Sequence, residues 1–217
     1  MSIKYNGHSL SKIDYNGHKV IKGKYNGKII YEGLPSAYQA LEYVTANNSQ
    51  YFFVNDLFLS NEHTVECKFN ATDSSNLFGC FQSTTSDANF SIYLASSGGN
   101  YVRYNGQLER DWRLVTNVDT VVNMSSSGLI VDGVQDISFA PAIFTATNPF
   151  GVCNVSGSSS AKFKGKLYYI KVTKKVNNVV TRELYLVPAE RIADNVRGLY
   201  DLEHRVFYTS QSSTPFA

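Results

Sequence analysis

The sequence predicts an all-β protein, a sandwich or barrel of many short strands preceded by a small β-meander. Three observations carry that prediction. The tripeptide Tyr-Asn-Gly occurs at Tyr5, Tyr15 and Tyr25, ten residues apart, and once more at Tyr104. From residue 50 onward, short apolar runs alternate with polar residues and follow one another about every eight to twelve residues, punctuated by turn formers. Tyr (15) and Phe (13) are abundant, Met (2) is scarce, and no long amphipathic helical pattern interrupts the series.

The opening repeat comes first. Asn-Gly is a strong two-residue hairpin signal, because a type I′ turn needs positive φ at both central positions. Turns at residues 6–7, 16–17 and 26–27 leave antiparallel strands at 2–5, 8–15, 18–25 and 28–32. Tyr before each turn, with Ile3, Ile13, Val20 and Ile29, supplies one apolar face. Ser11 and Gly23 mark bends or bulges that would split the longer strands. A sheet of this size buries too little apolar surface to stand alone, so it packs on its own chain, a copy or a partner. Residues 1–33 hold six Lys against Asp14 and Glu32, a charge of +4, and the remainder holds 14 basic and 16 acidic residues, a charge of −2. Edge-guarding lysines account for that excess, and an acidic partner surface would account for it too.

Gly33-Leu34-Pro35-Ser36 punctuates the end of the repeat and separates a module at 1–33 from a main domain at 34–217. Strands are expected at 50–54, 63–69, 76–83, 89–95, 100–104, 112–116, 119–124, 128–132, 150–155, 163–173, 179–187, 198–201 and 205–209. Val65, Cys67 and Phe69 alternate with Thr64, Glu66 and Lys68, the pattern of a strand with one wet face. At most one helical turn is expected, near 38–43 or 189–194.

Composition excludes several classes. A net charge of +2 is too small for a nucleic-acid-binding face. Residues 137–161 carry no charge but contain Pro141 and Pro149, so they do not read as a membrane span. No signal peptide is visible. Cys67, Cys80 and Cys153 lack a CxxC spacing and read as buried free thiols. His8, His18, His63 and His204 are scattered; only a trimer could gather His8 and His18 around a metal, and none is expected. No cofactor is expected either. No Gly-x-Ser-x-Gly elbow, His-Glu-x-x-His helix or phosphate loop occurs.

Two stretches resemble a known family. "LPSAYQALEYVTANNSQYF" (34–52) and "FKGKLYYIKV … RELYLVPAER … GLYDLEHRVFYT" (163–209) are similar to the opening and close of concanavalin A-like (LamG-like) jelly-roll domains. Such domains occur in tail, baseplate and fibre proteins of phages and prophages of Gram-positive bacteria, where short Tyr-Asn-Gly repeats are also typical. The resemblance spans roughly 34–210. It implies a jelly-roll β-sandwich and a virion component made in the bacterial cytoplasm. It implies other tail or baseplate proteins as partners, through residues 1–33, and a homotrimer as the natural assembly of a fibre tip. It identifies no binding residues. Calcium is compatible with this fold, although no compact Asp-x-Asp/Asn loop announces it.

Glycosidases on this fold need carboxylates at strand spacing in one cleft. The nearest group, Glu109-Arg110-Asp111, reads as a solvated charged loop, so catalysis is not expected. A carbohydrate-binding surface is. Sugars are held by aromatic faces against their C–H groups and by planar polar side chains at their hydroxyls. Residues 93–113 supply both in Tyr93, Tyr101, Arg103, Tyr104, Asn105 and Trp112, with Gln107, Arg110 and Arg113 beside them. Asp87 and Asn89 are weaker candidates. The expected function is adhesion to host-surface saccharide by a non-enzymatic virion protein. The alternatives are a structural decoration or assembly module without a ligand, and then a glycan-degrading enzyme.

Overall fold

A computed structural model describes residues 3–5, 8–10, 14–15, 18–19, 22–25, 28–73, 75–81, 89–94, 100–110, 116–154 and 162–217, with backbone alone for residues 3–32, 75, 81, 89 and 108–110. In chain order the strands begin with β1 (Ile3–Tyr5), β2 (His8–Leu10), β3 (Asp14–Tyr15), β4 (His18–Lys19), β5 (Lys22–Tyr25) and β6 (Lys28–Glu32). Then come β7 (Tyr38–Ala40), β8 (Val44–Asn47), β9 (Phe52–Val54), β10 (His63–Ala71), β11 (Ser75–Phe81), β12 (Asn89–Leu94), β13 (Tyr101–Tyr104) and β14 (Gln107–Arg110). The series ends with β15 (Thr120–Ser125), β16 (Gly128–Val131), β17 (Val134–Ser138), β18 (Phe150–Val152), β19 (Lys164–Val176), β20 (Val179–Arg191), β21 (Val196–Asp201) and β22 (Val206–Tyr208).

In the opening repeat β1 pairs with β2, β3 with β4 and β5 with β6, with Tyr5↔His8, Tyr15↔His18 and Tyr25↔Lys28 as last pairs; the Asn-Gly turns at 6–7, 16–17 and 26–27 lie outside the described residues. Strands β2 and β3 fall within the expected strand 8–15, and β4 and β5 within the expected strand 18–25. A register shift falls between Gly23 and Lys24, where a bulge was expected. Among the described residues no ladder joins one hairpin to the next.

Two antiparallel sheets make up the rest. One runs β17-β16-β15-β10-β19-β20-β21-β22, with β8 pairing on β19 and β7 on β20; the other runs β14-β13-β12-β11-β18-β9. Alternate residues of both sheets meet in one core. From β10 come Val65, Cys67 and Phe69, from β19 Ile170 and Val172, and from the smaller sheet Phe78, Phe90, Ile92, Val102 and Phe150. This is a β-sandwich, and burying each such side chain contributes about 1.5–3 kcal/mol. The alternation in β10 is the expected one, with Thr64, Glu66, Lys68 and Asn70 on the wetter face. All three cysteines are free and buried, as expected. Burial pushes the Cys80 thiol up to about 12, which keeps it protonated and unreactive.

The described residues contain no helix. Strand β7 and the β7–β8 link occupy 38–43, and the end of β20 with its following turn occupies 189–194, so neither segment makes a helical turn, within the limit of at most one. The chain end is sewn into the larger sheet's margin. Thr45 N donates to Ala217 O at 2.6 Å, Ala217 N donates to Thr45 O at 3.1 Å, and the Phe216 ring meets Phe52 edge-on at 6.4 Å.

Candidate functional site

The candidate residues lie on β12, β13 and the turn after β13. That turn is built by the fourth Tyr-Asn-Gly. Tyr104 pairs with Gln107, and the two residues between them have φ of 44° (Asn105) and 79° (Gly106), the positive pair that a type I′ turn demands. Asn105 thus holds the hairpin. Gln107 holds the neighbouring segment, because its Nε2 donates to Ala140 O at 2.9 Å and its Oε1 accepts from Ala140 N at 2.8 Å.

Parity along β13 separates the aromatic candidates. Val102 and Tyr104 point into the core, whereas Tyr101 and Arg103 are half-buried on the outer face. Tyr104 is fully buried, stacked on Phe139 at 4.9 Å and 9°, and met edge-on by Phe144 and Phe90. Its hydroxyl donates to Ala142 O at 3.3 Å, and burial raises its phenol above the usual range. A ring enclosed in this way has no face left for a sugar, so Tyr104 leaves the expected contact set and joins the core.

Tyr93 and Tyr101 remain together on the outer face. They are cross-strand partners whose rings stack at 5.6 Å and 22°. Arg103 lies level with Ser91, one pair further along. Trp112, Asp87 and Arg113 lie outside the described residues, and Arg110 and Asn89 are described by backbone only. Glu109 likewise is backbone only, in β14 and level with Val102, and Asp111 lies outside the described residues.

Two buried asparagines were not foreseen in the sequence. Asn76 is the register partner of Tyr93 on β11. Across β11 from it, Cys153 N donates to Leu77 O at 2.9 Å, with Asn76 and Asn154 each next in sequence to one end of that bond. Asn76 and Asn154 are 3% and 5% exposed, and neither Asn76 Nδ2 nor Asn154 Oδ1 has a hydrogen-bond partner among the described residues. The sequence signal was faint: each Asn stands at the polar end of an apolar run (NLFGCF and GVCN). Gly79, next on the same face, is forced by geometry. Its φ is +145°, and an added Cβ would lie 2.3 Å from Phe90 O.

The larger sheet carries a second polar cluster. Asp119 Oδ1 accepts from Asn70 Nδ2 at 3.1 Å and Tyr168 OH at 2.8 Å, and Lys68 Nζ lies 3.0 Å from Oδ2. Led by the Asn70 hydrogen bond, these partners bring the Asp119 carboxyl down to about 2. Lys68 Nζ also sits 4.3 Å over the Tyr168 ring, and Lys166 Nζ 4.2 Å over Tyr43. Every donor and acceptor named here has its partner, so the cluster reads as a braced surface.

His63 and His204 serve the scaffold. Buried His63 Nδ1 accepts from Ser60 N at 2.9 Å, and the His204 ring pairs with buried Asp201 at 2.5 Å. His8 and His18 are described by backbone only. Among the described residues no group of three or more His, Cys, Asp or Glu is placed to hold a metal. No protein-family model matches the chain, and no curated protein or solved structure matches it either.

Proposed function

We infer that this chain is a non-enzymatic, saccharide-binding β-sandwich of jelly-roll type, carried on a phage tail or baseplate. In this reading the outer face of the smaller sheet meets host cell-surface glycan, and residues 1–33 attach the protein to its neighbours in the virion. The observation that supports it best is the Tyr93–Tyr101 pair. Two stacked rings lie side by side on a half-exposed sheet face, with Arg103 one pair along. Rings so placed can cover the C–H face of a pyranose, and the guanidinium can read its hydroxyls. The virion context is supported by the sequence resemblance at 34–52 and 163–209 alone. Assembly as a trimer would multiply weak sites by avidity.

A structural module without a ligand is the second reading, favoured by the fate of Tyr104, Asn105 and Gln107, which all serve the scaffold. A screen of purified full-length protein against glycans and Gram-positive cell-wall polysaccharides separates the two. Saturable binding weakened about tenfold or more by Tyr93→Ala or Tyr101→Ala, with folding intact, supports the saccharide reading. No binding at any multivalent density supports the structural module.

A further inference from the structure

We propose that this chain pairs with a second copy of itself through the ridge made by residues 57–62 and 143–147, with Ile143 of each copy seated against Phe58 of the other. The inference goes beyond the saccharide reading and does not depend on it. Its starting point is Ile143, at 92% the most exposed large apolar side chain among the described residues. The main chain around Ile143 is held on both sides. Tyr104 OH donates to Ala142 O at 3.3 Å, and Gln107 binds Ala140 through both atoms of its amide. Phe144 is buried, and its N donates to Asn61 Oδ1 at 3.3 Å. A braced backbone that holds an aliphatic side chain in water is an anchor made ready before binding, with little ordering entropy left to lose.

The ridge is an irregular antiparallel ribbon. Ser60 pairs with Thr145, Asn61 N donates to Phe144 O at 3.3 Å, and Ala146 N donates to Leu59 O at 2.7 Å. Leu59, Phe144 and Ala146 belong to the core, so by the two-residue period the positions between them face outward. In this register Phe58 lies level with Thr147, and Glu62 with Ile143. Phe58 is 41% exposed, and Thr145 and Thr147 are exposed as well. Two large apolar side chains therefore stand at opposite ends of the outer face, Phe58 on one strand and Ile143 on the other. They lie about 13 Å apart along the ribbon, with the Ser60–Thr145 pair midway.

That symmetry names the occupant. A two-fold axis lying in the interface and crossing the ribbon at Thr145 turns one ridge end for end over another. Each Ile143 then meets the other copy's Phe58, as an isologous contact requires. Charge points the same way. Residues 137–154 hold no charged side chain, in a chain where 18% of residues are charged. Interface cores are depleted of charge in this manner, and a neutral surface meets its own copy without repulsion. The charges lie at the ends of the ridge. Glu62, level with Ile143, is paired with Lys174 at 3.6 Å, and Asp56 stands two residues before Phe58. Turned end for end, Lys174 of one copy comes to the end that carries Asp56 of the other. The ridge offers about a dozen residues on each copy, against about 20–30 a side in a standard interface, so the pairing is weak and gains from copies held close together.

Sedimentation velocity of the full-length protein at concentrations up to ~500 μM tests the proposal. Concentration-dependent pairing is expected. Ile143→Lys should weaken it at least about tenfold while leaving the melting temperature unchanged, since the side chain is not buried. Phe58→Asp should weaken it likewise. The double variant should pair again, because each Lys then meets an Asp across the axis. A protein that stays monomeric over the whole range overturns the proposal. So does association that Ile143→Lys leaves unchanged, such as assembly through residues 1–33 alone, and so does a double variant that stays as weak as the single ones. A monomer whose glycan binding falls on Ile143→Lys also overturns it, and moves the ridge to the saccharide site. Should Phe58→Asp fail to fold, the comparison of the parent with Ile143→Lys decides the matter alone.

Discussion

Tyr104 and Tyr101 stand three residues apart on one short strand, and replacing them should have opposite consequences. The Tyr104 side chain is fully enclosed, with Phe139, Phe90 and Phe144 around its ring. A buried aromatic removes about 150–250 Å² from water, which at about 25 cal/mol/Å² amounts to about 4–6 kcal/mol as an upper bound. Truncation to Ala leaves a cavity that Phe139 and Phe144 cannot fully close, so Tyr104→Ala should destabilise by about 3–5 kcal/mol. Tyr104→Phe keeps the packing and loses only a long hydrogen bond to Ala142 O, so it should destabilise by about 1 kcal/mol or less. Tyr101→Ala removes a half-buried ring from the outer face and should change stability by about 1 kcal/mol while weakening glycan binding. Urea unfolding followed by fluorescence gives the three values, with glycan binding measured alongside. A Tyr104→Ala loss below about 1 kcal/mol, or a Tyr101→Ala loss above about 3 kcal/mol, would refute the assignment of faces.

Three further outcomes follow from other parts of the molecule. Gly79→Ala must move the Phe90 carbonyl and hold a positive φ, so it should destabilise by about 2–5 kcal/mol, and a melting temperature equal to the parent's would contradict the close approach. Phe216→Ala should destabilise by about 3 kcal/mol by uncovering Phe52, and an unchanged urea midpoint would show that the chain end is not part of the core. His63 is kept neutral by burial first and by the Lys174 ammonium next, against weaker opposing pulls from Glu183 and Glu62. Its folded value therefore lies below its unfolded value near 6.5, and the unfolded chain takes up the proton first. Its contribution to stability is complete above that pH and is lost as pH falls through the folded value. His63→Gln should flatten the decline of the urea midpoint between about pH 6.5 and 5, and an undiminished decline would sink the assignment.

Much of the sandwich was legible because its strands are long and one-sided. In β10 the order of Val65, Cys67 and Phe69 against Thr64, Glu66 and Lys68 fixes both the strand and its inner face. The turn at Asn105-Gly106 was legible for the same local reason, since both of its residues take positive φ. Strand β17 was not, because Val134–Ser138 lies at a sheet edge with no fully buried residue, and so carries no alternation to read. Strands β7 and β14 hide likewise at margins. Tyr104 was misplaced although the period of two already sets it opposite Tyr101 and Arg103; the attraction of an aromatic cluster outweighed parity. Asn76 and Asn154 are 78 positions apart (154 minus 76), and it is the pairing of β11 with β18, continued by the Cys153 N to Leu77 O bond, that brings their sequence neighbours together. No local pattern reports a register between distant strands.

The account's central claim is that the outer face of the smaller sheet holds a saccharide. Amide hydrogen exchange of the full-length protein, with and without saturating Gram-positive cell-wall polysaccharide, tests it most directly. The account predicts added protection concentrated in β11, β12 and β13, centred on Asn76, Tyr93 and Tyr101. Protection confined to the larger sheet around Tyr43 and Tyr168, or no change anywhere, would contradict it.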